Sequence, residues 1–245
     1  MVKIAEGVEM LEVTANILGK ENTVYPAVIE GPGRCLLVDT GYPGQFPRLK
    51  AAMEEAGVSL DRLTQVVITH HDIDHIGGLS DLRNALQGQV EILAHPAEKP
   101  YIQGEKQAVK VARLEARLDS LSPEMKMLYE TLKAGFEKCK APVDKVLSEG
   151  TALPYGGGIT VIDTPGHTPG HICLYLEQHK ILIAGDALSV EDGKLVSSPP
   201  FINFDQEAYR KSLKKLAQYD IETVLCYHGG LFKDQANHCI KALAC

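Results

Sequence analysis

Residues 69–78 read Thr-His-His-Asp-Ile-Asp-His-Ile-Gly-Gly, and five of the first seven can bind a metal ion. So many carboxylates in one short loop repel each other unless a cation compensates them. The run follows a short apolar strand, Gln65–Ile68. Side chains alternate along a strand, and a tight loop at its end converges them beyond it. Imidazole and carboxylate together suit zinc, iron or manganese. Three further elements end strands in the same way: Thr164-Pro165-Gly166-His167-Thr168-Pro169-Gly170-His171 after Ile159–Asp163, Ala184-Gly185-Asp186 after Lys180–Ala184, and Tyr227-His228-Gly229-Gly230 after Thr223–Tyr227. Prolines and glycines fix the loop that carries His167. An α/β sheet places its ligand sites at such strand ends.

The rest of the chain reads as strands alternating with helices. Strands are expected over Val8–Thr14, Thr23–Glu30 and Cys35–Val38, with Gly31-Pro32-Gly33 as a hairpin connection. Phe46–Ala56 carries Leu49, Ala52, Met53 and Ala56 on one stripe and predicts a helix stopped by Gly57. Gly77–Leu86 predicts a helix and Val90–Ala94 a strand. Residues 97–148 interrupt this rhythm with helical periodicity and a helix start at Ser122-Pro123-Glu124, so they read as a helical insertion or cap. Strand Ile172–Leu176, a helix after Asp205 and a helix over Lys233–Leu243 complete an α/β chain. No linker or repeat divides it, and 1–245 reads as a single domain.

Charge and composition narrow the function. With 25 Lys and Arg against 32 Asp and Glu, the formal net charge is −7. Nucleic-acid phosphates need clustered basic residues, so a small-molecule substrate is the expected partner. Met1–Leu11 lacks the apolar core of a secretory signal, and no apolar run is long enough to span a bilayer. A cytoplasmic protein without membrane contact is expected. The six cysteines form no CxxC pair and read as reduced thiols. The apolar residues of 97–148 must pack on the core, a pocket or a second subunit, which leaves a homodimer open.

These motifs together resemble the metallo-β-lactamase superfamily over nearly the whole chain. Asp39 in Val38-Asp39-Thr40-Gly41 is similar to the family's first motif, and His70–His75 matches its H-x-H-x-D-H signature apart from one position. His167, Asp186 and His228 match the remaining motifs in order. The resemblance implies an αββα sandwich: two mixed β-sheets flanked by helices, with the metals at one edge. It implies that His70, Asp72 and His167 hold one divalent ion, that Asp74, His75 and His228 hold a second, and that Asp186 bridges them. A hydroxide bridging two metals roughly 3.5–4 Å apart would be the nucleophile. Asp74 would shuttle the proton, Asp39 would orient a ligand, and His171 would support the metal loop without binding metal.

The departure is Asp72, where the family usually has histidine. A carboxylate makes that position harder and more anionic, so iron or manganese stands beside zinc. Flavodiiron proteins resemble this chain there. His71 swinging in to replace Asp72 is a further option. The family's chemistry spans β-lactams, thioesters, lactones, phosphodiesters and sulfate esters, and fold alone does not choose among them. Asp186 stands where several zinc β-lactamases have cysteine, and Ser189 where family lactonases often have tyrosine. The leading expectation is a metal-dependent hydrolase of a small ester, lactone or thioester. A redox-active di-iron protein and a non-catalytic metal-binding member are the alternatives.

Overall fold

The computed structural model describes residues 2–17 and 19–244; Met1, Leu18 and Cys245 lie outside them. Apolar alternation along the strands sets the layers. In strand Arg34–Val38, Cys35 and Leu37 join a core with helix residues Leu49, Met53, Leu79 and Phe136. Leu36 and Val38, on the opposite face, join a second core with Leu174, Ile183 and Leu225. A third core contains Leu182, Val224 and Cys226 with Tyr209, Leu213, Leu216 and Ile240 of two later helices. Three cores require four layers: helix, sheet, sheet, helix. This is the αββα sandwich expected.

The first sheet has seven strands in the order Val2–Ala5, Val8–Met10, Ala27–Gly31, Arg34–Val38, Leu63–Ile68, Glu91–Ala94 and Lys145–Val146. Its last four are mutually parallel, and the three inner ones carry apolar runs buried on both faces, whereas Lys145–Val146 is an exposed edge strand. The second sheet orders Ala152–Leu153, Ile159–Asp163, Ile172–Leu176, Ile181–Ile183, Thr223–Cys226 and Gly230–Phe232. Within it, Ile181–Ile183 runs parallel to Thr223–Cys226. The ends of Arg34–Val38 and Leu63–Ile68 in one sheet face those of Ile159–Asp163, Ile181–Ile183 and Thr223–Cys226 in the other across the metal-ligand loops.

The chain departs from its sequence pattern in three places. The strand expected over Val8–Thr14 is two, Val8–Met10 in the first sheet and Val13–Ile17 in a separate hairpin with Lys20–Val24. Thr23–Glu30 divides at Pro26, which has no N–H to continue a ladder. Segment 97–148 is not helical to its end: Lys145–Val146 adds a parallel strand beside Glu91–Ala94. Its long helix, Pro123–Cys139, starts where Ser122 Oγ accepts from the Met125 N–H and buries Tyr129, Phe136 and Cys139 in the outer core. Its shorter helix, Val109–Glu115, lies against the ligand loops.

Candidate metal centre

The seven expected ligands converge. In one group, Asp72 Oδ2 is 2.9 Å from His167 Nε2 and 3.2 Å from His70 Nε2. In the other, Asp74 Oδ2 is 3.2 Å from His228 Nε2 and 3.9 Å from His75 Nε2. Asp186 turns one oxygen to each group. Its Oδ2 lies 3.4 Å from His167 Nε2, and its Oδ1 lies 3.1 Å from His75 Nε2 and 3.4 Å from His228 Nε2. Within each group the donor atoms lie within 4.8 Å of one another.

The residues fit divalent cations. Buried polar atoms are rarely left without partners. Yet His75 Nε2 and Asp186 Oδ1 are buried and have no hydrogen-bond partner among the described residues. Both point into the space between the two groups, where a cation would satisfy them. The donors are imidazole nitrogens and carboxylate oxygens without a thiolate, a set that suits zinc, iron or manganese.

The surroundings fix which atom each ligand presents. Asp39 has φ 61°, a left-handed conformation that aspartate tolerates. Its Oδ1 accepts the Thr69 N–H at 2.9 Å, and its Oδ2 accepts from Thr69 Oγ1 and His75 Nδ1, each at 2.8 Å. His75 therefore turns Nε2 to the centre. The Tyr227 hydroxyl donates to the Asp74 carbonyl at 2.6 Å and accepts the Gly41 N–H at 3.0 Å, which ties the last ligand strand to the first loops. His171 has both ring nitrogens engaged, Nδ1 with Thr164 Oγ1 at 2.8 Å and Nε2 accepting the Asp186 N–H at 3.0 Å. It holds the backbone of Asp186 and has no lone pair left for a metal. Gly185 makes this possible, since a Cβ there would sit 2.6 Å from His171 Nε2.

His71 does not replace Asp72. It turns away from the centre to pair with Glu98, both fully buried, and its Nε2 accepts the Val109 N–H at 3.3 Å. Glu98 also accepts the His71 N–H at 2.8 Å and the Gly170 N–H at 2.6 Å, so it joins the loops of His70 and His167.

Several contributors escaped the sequence reading. His167 Nδ1 lies 3.2 Å from both Asn203 Oδ1 and Ser198 Oγ, which orient it. Arg113 donates to the carbonyls of Asn203 at 2.8 Å and Phe204 at 3.2 Å. Lys110 places its ammonium 2.5 Å from Asp72 Oδ2. A lysine or arginine on an amphipathic helix carries no sequence signal of this kind. The hairpin Leu188–Glu191 to Lys194–Ser197 did carry one: Asp192-Gly193, with φ 49° and 74°, makes the tight turn between its strands.

The charges set the protonation of the metal-free centre. Burial alone would lower the His228 imidazole, but Asp186 and Asp74 outweigh it and raise it to about 10. The same opposition, with Asp39 added, raises His75 well above the usual range. Burial would raise the Asp72 carboxyl, but Lys110, His167 and His70 hold it well below the usual range. At pH 7 both His75 and His228 therefore carry protons that a cation must displace. Uptake of divalent cations should release about one proton or more per chain at pH 7 and strengthen as pH rises towards 10. Calorimetry in buffers of contrasting ionisation enthalpy measures this; binding with no proton release would contradict it. In the metal-free protein the His228 pairing stabilises the fold fully below the ordinary imidazole value of 6.5. That contribution is lost as pH rises through about 10.

Comparison with known proteins agrees with this geometry. Residues 20–228 match the metallo-beta-lactamase superfamily. The probable metallo-hydrolase YflN of Bacillus subtilis (strain 168) is 28% identical over 225 residues, 85% of this chain and 80% of that protein. A hydroxyacylglutathione hydrolase of Cereibacter sphaeroides is 28% identical over 198 residues, 80% of this chain. The match takes in 57% of that relative, so this chain spans little more than half of it. A solved metallo-beta-lactamase family protein from Thermus thermophilus superposes with a TM-score of 0.78 and 26% identity, covering 99% of this chain and 79% of that one. No helix among the described residues is long and apolar enough to cross a membrane. Four-layer fold, converging His and Asp residues and family match lead to one assignment: the chain belongs to the metallo-beta-lactamase superfamily of metal-dependent hydrolases.

Proposed function

We propose that the chain hydrolyses a small ester, lactone or thioester at a centre of two divalent cations. The observation that carries this reading is Asp186, whose two carboxylate oxygens face different ligand groups. A monodentate structural site needs no such second face. When bound, two cations polarise a carbonyl and make water a nucleophile near neutral pH. The names of the relatives support hydrolysis, and that of the hydroxyacylglutathione hydrolase supports an acyl thioester as one substrate class.

The protein's own part is positioning and proton transfer. His70 is fully buried and Asp72 nearly so, whereas the side chains of His228 and Lys110 are 37% and 38% exposed. Substrate therefore approaches along the side that His228 and Lys110 border. Hydrolysis adds water across the acyl bond: the carbonyl carbon gains an oxygen, the carbon–oxygen or carbon–sulfur bond breaks, and a proton passes to the leaving group. We assign that transfer to Asp74. In the metal-free chain burial would raise its carboxyl, but His75 and His228 hold it below the usual range. Its backbone is fixed by Tyr227, which keeps the carboxylate in place.

The partner in this reading is a small molecule, in keeping with a net charge of −7. The test is a panel of lactones, thioesters, simple esters and phosphodiesters offered to protein of measured metal content. Turnover on a carbonyl ester or thioester that scales with bound cation is the expected result. Cation-loaded protein inert towards every carbonyl substrate would overturn the proposal. Iron-dependent colour with oxygen consumption would instead carry the di-iron reading, which Asp72 favours as a hard ligand.

A further inference from the structure

Helix Val109–Glu115 is anchored against the centre on both sides of Lys110. The Val109 N–H donates to His71 Nε2 at 3.3 Å, and His71 is itself fixed by buried Glu98. Val111 is sealed into the outer core, 2% exposed. Arg113 grips the carbonyls of Asn203 and Phe204, beside the side chain that orients His167. Lys110 between these anchors is not a free surface lysine. Its ammonium lies 2.5 Å from Asp72 Oδ2, the same oxygen that faces His167 Nε2 at 2.9 Å and His70 Nε2 at 3.2 Å. Ammonium and cation must therefore draw on one carboxylate oxygen.

No lysine or arginine among the described residues pairs with the other group, whose positive charges are imidazole protons that leave as a cation enters. Among the described residues, the ion pairs of Asp74 and Asp186 are all with histidines. A fixed positive charge paired directly with Asp72, and acting on Asp74 and Asp186 only from farther off, withdraws ligand charge most at the first group and repels an entering cation most there. We infer that Lys110 makes the two cation positions unequal, so that Asp74, His75 and His228 fill first and tightly, and His70, Asp72 and His167 fill second and more weakly. Asp72 and Lys110 together carry no net charge, as a neutral imidazole would. The lysine thus offsets the extra charge that aspartate brings to this position.

The inference rests on the two-cation reading above. It is tested by calorimetric titration of Zn²⁺, and separately Mn²⁺, into the metal-free full chain. Wild type should show two steps whose dissociation constants differ by about tenfold or more. Lys110→Met, which keeps the length and removes the charge, should tighten the weak step by about tenfold while leaving the strong step within about twofold. Lys110→Arg should keep the wild-type order, and it stands in if the methionine variant folds poorly. His228→Ala should erase the strong step and His167→Ala the weak one. A single step in wild type that becomes two in Lys110→Met also supports the inference. Two equal steps in wild type, or an unchanged weak step in Lys110→Met, would overturn it and leave the two-cation reading intact. A single step of one cation per chain in both proteins would overturn both.

Discussion

Removing divalent cations with a strong chelator is expected to abolish hydrolysis and to lower the melting temperature by about 5–10 °C. A ligand at a hundredfold excess over its dissociation constant stabilises the native state by about 2.7 kcal/mol, and a domain of this size shifts by about 2–4 °C per kcal/mol. The source of that stabilisation is the centre itself. Asp72, Asp74 and Asp186 crowd together, and His75 Nε2 and Asp186 Oδ1 have no other partner among the described residues. Protonated His75 and His228 with Lys110 offset part of this charge, so the stripped chain should still fold. Scanning fluorimetry before and after chelation, then after readdition of cation, measures the effect. A verified metal-free preparation with unchanged melting temperature and turnover would contradict it.

The second large effect is expected at Asp186. Asp186→Ala should cut turnover by more than about 100-fold, beyond the 10–100-fold typical of residues that only orient a ligand. The alanine removes one donor from each group at once. The fold should change little, because the Asp186 N–H that binds His171 belongs to the backbone and remains, and the side chain lies outside the apolar cores. The two readouts separate the roles. Wild-type turnover in the variant would exclude a shared carboxylate. Lost turnover with a chain that no longer folds would mean that Asp186 acts through structure. Asp186→Asn, which keeps the shape and one oxygen, should fall between.

The ligands were legible in the sequence because each follows directly from a strand. Ile68, Asp163, Ile183 and Cys226 end strands, and within a few residues come His70, His167, Asp186 and His228. The family resemblance gave Asp39 its supporting place, and it too follows a strand end, at Val38. What was not legible depends on contacts between distant residues. Lys110 meets Asp72 across 38 residues, and Asn203 meets His167 across 36. Nothing in the neighbours of Lys110 separates it from the other lysines of its segment. His71 illustrates the converse. Its place in the motif left a metal role open, and only Glu98, 27 residues on, shows where its ring is held. The split of Thr23–Glu30 at Pro26 is legible in the sequence, since proline has no N–H to continue a ladder.

The contacts of Tyr227 and His228 bear on how the chain is made. The Tyr227 carbonyl accepts the Tyr25 N–H at 3.0 Å, its hydroxyl holds Gly41 and Asp74, and His228 bridges to Val24. Residues from the first third of the chain are thus locked by residues that leave the ribosome about 150–200 positions later. Until they emerge, His70, Asp72, Asp74 and His75 lack the last imidazole of the centre, that of His228. On the two-cation proposal, a nascent or stalled chain should hold cations loosely, and durable retention should begin with completion of the strand Thr223–Cys226 and of His228 beyond it. Cation exchange rates measured on ribosome-arrested chains of increasing length should therefore drop in one step, after residue 228 clears the exit tunnel.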